Sequence, residues 1–273
     1  MNTDFKRRVL DFHAEVLGGS ATARLETLPS LFAVDYSPQL PAFRGISALA
    51  PGRAALAGRL ASLGAVPHRV ARVLADGNLV LAHVQYPGDT PVAGVDIYEF
   101  DQQGLIGRHW NVRQPLPRDS GAGDDRFETD RAYAIADSLD PDWLKARVRE
   151  MLMEFWGKGR GELIDEFYSE SYVQHNAEMP GGYQRIREIV QNDIPRYIQA
   201  TGGPFPIQIH HLVAEGDLVG VHLSIFMAGI NRNDGERSTN VDIFRVNRDG
   251  RMVEHWDVLQ IDGVALPASA TQF

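Results

Sequence analysis

With 273 residues, 44% of them hydrophobic and 23% charged, the chain has the composition of a soluble globular protein long enough for two ordinary domains. Its net charge of −9 argues against a nucleic-acid ligand, whose phosphates need a basic face, and against an anionic membrane surface. The absence of cysteine rules out disulfides, thiol nucleophiles, iron–sulfur clusters and cysteine zinc sites.

In chain order, Phe5, Val9, Phe12, Val16 and Leu17 recur at helical spacing, and Leu49, Leu56, Leu60 and Leu63 make a second stripe. Met1–Leu17 alternates charged and apolar residues and lacks the unbroken apolar stretch of a signal peptide. Strand-like runs follow at Arg69–Ala75, Leu79–Gln85, Val92–Phe100 and Leu105–Val112, with turns at Asp76-Gly77 and Gln103-Gly104. Proline, glycine, serine and charge then collect over Pro115–Asp125. This places a first domain at 1–118, a linker at 119–130 and a second domain at 131–273.

Beyond the linker, Asp140 precedes Pro141 as an N-cap, and Leu144, Val148, Met151, Leu152 and Phe155 form a helical stripe stopped by Gly157 and Gly159. Leu163, Ile164 and Phe167 predict a short second helix and Tyr172-Val173 a brief extended piece. Ile186 to Ile198 predicts a third helix, kinked at Pro195. Strands are expected at Ile207–Ala214, Leu218–Ala228, Ser238–Val246 and Met252–Gln260. Their turns fall at Glu215-Gly216-Asp217 and Arg248-Asp249-Gly250. Even the apolar run Leu218–Ile230 is broken by His222 and Ser224, so no membrane span is expected, and the expected location is the cytoplasm. Each half reads as helices followed by an antiparallel meander, an α+β arrangement in tandem.

The halves also share words. Asp96-Ile97 and His109-Trp110-Asn111-Val112-Arg113-Gln114 recur, at one constant offset, as Asp242-Ile243 and His255-Trp256-Asp257-Val258-Leu259-Gln260. Pro67, Gly77 and His83 recur at a shorter offset as Pro206, Gly216 and His222. The difference places an insertion in the second copy, around Asn231–Arg237. The second copy has Asp257 where the first has Asn111, and a carboxylate can exchange a proton at neutral pH where an amide cannot.

Alternation along a strand puts His255, Asp257 and Leu259 on one face and Trp256, Val258 and Gln260 on the other, while Asp242 and Phe244 share a face of the preceding strand. Two carboxylates in a poorly solvated pocket raise one another's pKa, which suits proton abstraction beside a carbonyl. Asp257, His255 and Asp242 are therefore the candidate catalytic residues. The competing reading makes Glu254-His255-Trp256-Asp257 structural, since most of the phrase survives in a copy without the acid. His210-His211 should point to opposite faces, and no zinc-binding histidine spacing occurs, so no metal is expected. Gly157-Lys158-Gly159-Arg160-Gly161 reads as a helix stop, and no Gly-x-Ser-x-Gly elbow occurs.

Tyr172-Val173-Gln174-His175-Asn176, Asp242-Ile243-Phe244-Arg245-Val246 and Glu254-His255-Trp256-Asp257-Val258-Leu259-Gln260 together resemble the SnoaL-like polyketide cyclase family, of the nuclear-transport-factor-two-like superfamily. The resemblance covers essentially all of the second half. The first half matches in its last two strands only, for near Tyr36-Ser37-Pro38-Gln39-Leu40 it has no His-Asn pair. The resemblance implies cone-shaped α+β-barrel domains with N-terminal helices packed in a curved antiparallel sheet around an apolar pocket. It implies ring closure without metal or cofactor, with the catalytic acid/base at Asp257 and its polar partner at Asp242 (histidine in some cyclases). The polar position after the second helix falls at His175 or Asn176. With Tyr172 and Phe244 these complete the expected substrate-binding set.

The expected function is that of a cofactor-independent general acid/base enzyme, a cyclase, isomerase or lyase, acting on an apolar carbonyl or polyketide-like small molecule. The alternative is a non-catalytic small-molecule-binding or assembly module, which the degenerate first half already resembles. Expected partners are a small molecule and, within the chain, the other domain as a pseudo-dimer, with homodimerisation open.

Overall fold

In a computed structural model of the chain, residues 2–39, 50–116, 125–128, 138–176, 179–226 and 237–261 are described. The chain divides into two compact units, a first half ending at Asp124 and a second spanning Asp125–Ile261. Of the stretch read as linker, residues 119–124, 129 and 130 lie outside the described residues, as do Leu49 and most of the expected insertion.

In the first half, helix α1 (Asn2–Asp11) runs on into a π-helical turn, Phe12–Leu17, and is followed by α2 (Ala21–Leu31), β1 (Phe32–Pro38) and α3 (Arg53–Ala61). Strands β2 (Arg69–Asp76), β3 (Leu79–Tyr86), β4 (Val92–Phe100) and β5 (Ile106–Pro115) then form the meander. The apolar stripe closes the core as expected: Val9, Phe12, Val16 and Leu17 pack with Leu56, Leu60, Val80, Val84 and Tyr98. Burial of each such side chain stabilises by roughly 1.5–3 kcal/mol.

Helix α2 and strand β1 have no clear pattern in the sequence. Pro29 sits inside α2 and blurs its periodicity, and Ser20 caps it by accepting from the Ala23 amide. Its buried Arg24 donates to the carbonyl oxygens of Leu17, Leu60, Leu63 and Gly64, which ties α2 to the end of α3. Strand β1 runs parallel beside β5, giving the order β1-β5-β4-β3-β2.

The second half repeats this plan. Helix α4 (Pro141–Glu150) continues as a π-helical turn, Met151–Gly157, and then come α5 (Ile164–Phe167) and β6 (Tyr168–Gln174). Asp140 caps α4 by accepting from the Trp143 amide, with Pro141 in its first turn, as the sequence predicts. The third helical region is α6 (Gly182–Glu188), a π-helical turn and α7 (Ile194–Thr201). The irregular turn falls just before Pro195, whose missing amide hydrogen interrupts the ladder. Strands β7 (Ile207–Glu215), β8 (Leu218–Phe226), β9 (Arg237–Val246) and β10 (Met252–Ile261) complete a sheet of order β6-β10-β9-β8-β7.

The two-residue extended piece read at Tyr172-Val173 is in fact the seven-residue β6, parallel to β10, so the sheet is a meander extended by one parallel edge strand. The hairpin turns stand where glycine allows positive φ, at Gly77 (+59°) and Gly216 (+68°). Helices α4 to α7 pack on one face of the sheet through Leu144, Val148, Met151, Phe155, Ile186 and Val190 against Val219, Val221, Phe244 and Val246. Among the described residues, no helix is long and apolar enough to cross a membrane.

Candidate active site

The β9–β10 hairpin sets the site. Its register places Asp242 directly opposite Asp257 and Phe244 opposite His255, so these four side chains share the face that carries the helices. The first half has the same register, with Asp96 opposite Asn111 and Tyr98 opposite His109. The repeated words thus mark equivalent cross-strand pairs.

Strand β6 supplies the rest. Gln174 is in register with His255, and the chain carries on past the strand end through His175 to Asn176. The Asn176 side chain donates from Nδ2 to Asp257 Oδ2 at 2.8 Å. Its backbone amide donates to Gln174 Oε1 at 3.1 Å, and His255 Nδ1 lies 2.9 Å from that same oxygen. A backbone N–H can only donate, so the atom it meets is the amide oxygen. His255 Nδ1 must therefore be the protonated ring nitrogen.

In the neutral form of the ring, this leaves the lone pair on Nε2. This atom is buried, has no hydrogen-bond partner, and lies 3.5 Å from Asp242 Oδ1. The ring is held flat between Phe244, at 4.5 Å between centroids, and Tyr172, at 6.4 Å. Gln174 belongs to the site although no motif in the sequence marks it. Only the parallel pairing of β6 with β10 brings it to His255.

Burial pushes the Asp257 carboxyl above the usual carboxylate range. The imidazolium form of His255 pulls it down, Asp242 pushes it further up, and the Asn176 hydrogen bond and Arg126 oppose the rise. Burial likewise raises the Tyr172 hydroxyl, with Tyr168 and both aspartates adding to it, so it stays a neutral donor.

His175 does not join this group. Its Nε2 pairs with Glu254 Oε1 at 2.9 Å, and its ring stacks on Trp256 at 5.1 Å. Glu254 and Trp256 point to the opposite face of β10 from Asp257. There Glu254 also accepts from Arg245 Nε at 2.8 Å, and Arg245 donates to Asp217 at 2.6 Å. The structure therefore separates the two members of the His175-Asn176 pair. Of the expected residues it gathers Asp242, His255, Asp257, Asn176, Tyr172 and Phe244.

The equivalent place in the first half is filled. Asp96, fully buried, takes Arg113 Nη2 at 2.6 Å, His109 Nε2 at 2.8 Å and the Tyr86 hydroxyl at 3.3 Å. Arg113 stands where the second half has Leu259. Burial alone would raise Asp96, but the Arg113 guanidinium and His109 hold its carboxyl well below the usual range. This carboxylate is locked as an ion.

Two further features lie apart from the site. An open groove of about 670 Å³ in the first half is lined by residues including Asp35, Glu99, Asp101, Arg108 and Trp110. On β7, His210 and His211 do not point to opposite faces as expected. A bulge between Ile209 and His211 lets both rings flank His222, at 5.0 and 5.3 Å.

Against known proteins, residues 148–255 match the model of the SnoaL-like domain family. No curated protein matches the chain. Among solved structures it is similar to TsrD from Streptomyces laurentii, at 18% identity, TM-score 0.36, and 45% of this chain against 92% of that one. An NTF-2 like protein of unknown function from Burkholderia xenovorans LB400 gives 20% identity, TM-score 0.34, and 48% against 98%. An LEH-like epoxide hydrolase of M. tuberculosis gives 19% identity, TM-score 0.33, and 41% against 84%. At these TM-scores the structural likenesses bear no weight.

Proposed function

Because the second half of this chain carries a SnoaL-like domain, we propose that it is a general acid/base catalyst, a cyclase, isomerase or lyase acting without a cofactor on an apolar carbonyl or polyketide-like small molecule. The observation that carries this reading is the direct pairing of Asp257 with Asp242, beside the lone pair of a buried His255 and under the hydrogen bond from Asn176.

In this reading Asp257 takes a proton from the carbon beside the substrate carbonyl, which becomes an enolate, and returns it to the alkoxide or carbon formed afterwards. Its raised pKa makes it a stronger base than an exposed carboxylate, and Asn176 holds its orientation. Asp242 and His255 tune it, while the neutral Tyr172 hydroxyl and the Phe244 ring receive the substrate's oxygen and its apolar body. His175 acts through the β6 end, as a positioning residue for Asn176.

A second reading, a non-catalytic binding or assembly module, is favoured for the first half by the Arg113–Asp96 pair, which occupies the equivalent place. The test uses the whole chain in deuterium oxide with a panel of apolar ketones and 1,3-diketones, with loss of the α-proton signal followed by NMR. Ligands that bind are expected to exchange at least 100-fold faster than in buffer, the scale of a single positioned base. Bound ligands that exchange no faster than in buffer would sink the catalytic reading.

A further inference from the structure

We propose that Asp242, His255 and Asp257 form a binding site for one divalent first-row cation, and that its occupancy blocks the proton chemistry assigned to Asp257. The blocking rests on the acid/base reading above; the binding does not.

The donor atoms are already gathered. One ligand atom from each of the three residues lies within 4.8 Å of the other two, and His255 Nε2 and Asp242 Oδ1 are 3.5 Å apart. Two ligands about 2.1 Å from a tetrahedral ion are themselves about 3.4 Å apart, so this pair already has the right spacing. The carboxylate of Asp257 needs to close by at most about 1.4 Å, which rotation about its side-chain torsions supplies.

The histidine is prepared as a ligand. It is 5% exposed, and its Nε2 has no hydrogen-bond partner while Nδ1–H is held by Gln174 Oε1. Fixing the far nitrogen on a carbonyl oxygen is how proteins orient a metal-binding imidazole and present the other nitrogen's lone pair. Asn176 does the same for Asp257, holding Oδ2 and leaving Oδ1 to a ligand.

Charge favours occupancy as well. In the first half, Arg113 supplies a positive charge to Asp96, but Leu259 stands at that place in the second. Two carboxylates then face each other across the strands, and a dication balances them where a single proton does so only in part. One imidazole and two carboxylates suit Mn²⁺, Co²⁺ or Zn²⁺ and disfavour soft monovalent copper. The Asp242 side chain is 13% exposed, so the site is open to an entering ion.

The probe is Co²⁺ added to the full chain after EDTA stripping, with its visible d–d absorption followed. With no cysteine in the chain, no thiolate contributes to such a band. One saturable equivalent is expected. Affinity should fall at least 10-fold in Asp257→Asn and in His255→Gln, and stay unchanged in His222→Gln, which alters a histidine outside the site. No saturable equivalent, or undiminished affinity in both site variants, overturns the proposal.

If His255→Gln fails to fold, the unaltered chain still decides: Co²⁺ must displace the His255 ring resonances, and their constancy overturns the site. In the deuterium-exchange assay, Zn²⁺ should lower the rate in proportion to occupancy. Binding with undiminished exchange overturns the block and leaves the site standing. Exchange that requires the cation overturns both the block and the cofactor-free reading.

Discussion

Asp257→Asn is expected to lower catalysed proton exchange by about 10²- to 10⁴-fold, the range contributed by one positioned acid/base. An amide keeps the size and the acceptor oxygen for Asn176 but cannot carry the proton. The fold itself shows that asparagine is tolerated there. Asn111 occupies the equivalent position opposite Asp96, in a strand pair of the same register. The substitution also removes the repulsion with Asp242, so the melting temperature should stay level or rise. A rate unchanged from the wild type would remove Asp257 from the mechanism. A collapse in stability with the rate loss would instead make it a structural residue.

Asp96→Ala should have the opposite character, harming stability rather than catalysis. The substitution leaves the Arg113 guanidinium, 1% exposed, without its carboxylate at 2.6 Å, and such a stranded buried charge costs about 3–5 kcal/mol. By calorimetry the first half should melt on the order of 10–20 °C lower. A shift of a degree or two would mean that the pair is solvated and does not fill the site.

The same groups set the response to acid. Asp96 is held below its unfolded value, so its contribution is present above about pH 4 and is lost as pH falls toward the folded value. His13 acts in the same direction. Burial lowers it to about 3, with the nearby Asp96 charge only partly opposing. The unfolded chain binds a proton there below about pH 6.5 and the folded chain does not. Stability of the first half should therefore decline as pH falls from about 6.5, by about 1.4 kcal/mol per unit for this histidine alone.

The site is legible in the sequence where the chemistry is local. One hairpin, repeated at a constant offset, carries Asp242, Phe244, His255 and Asp257, and strand alternation alone assigns the residues of each strand to a shared face. What the sequence hides depends on distant pairing. Gln174 reaches His255, and Asn176, expected as a substrate ligand, reaches Asp257, only because β6 lies parallel to β10, a contact with no short-range signature. His175 reads as a partner of Asn176, yet it lies beyond the last residue of β6, where alternation no longer decides direction, and it turns to Glu254. The expectation of opposite-facing His210 and His211 fails at a bulge, which shifts the pleat by one residue. The expectation of no metal rests on ligand spacings within single segments. The cluster of Asp242, His255 and Asp257 arises instead from register between two strands. Arg113 reads in sequence as one more basic residue of a strand. Its role in filling the first half's site emerges only with Asp96 beneath it.

Under the proposed function, chemistry belongs to the second copy, and the first has surrendered its place to an ion pair. A crystal structure of the chain with a bound cyclic 1,3-diketone decides between the copies. The ligand's carbonyl is expected against Tyr172 and its acidic carbon within reach of Asp257, with the Arg113–Asp96 pair undisturbed. A ligand seated in the first half beside Asp96, or on the Glu254 and His175 face of the second, would overturn this division of labour.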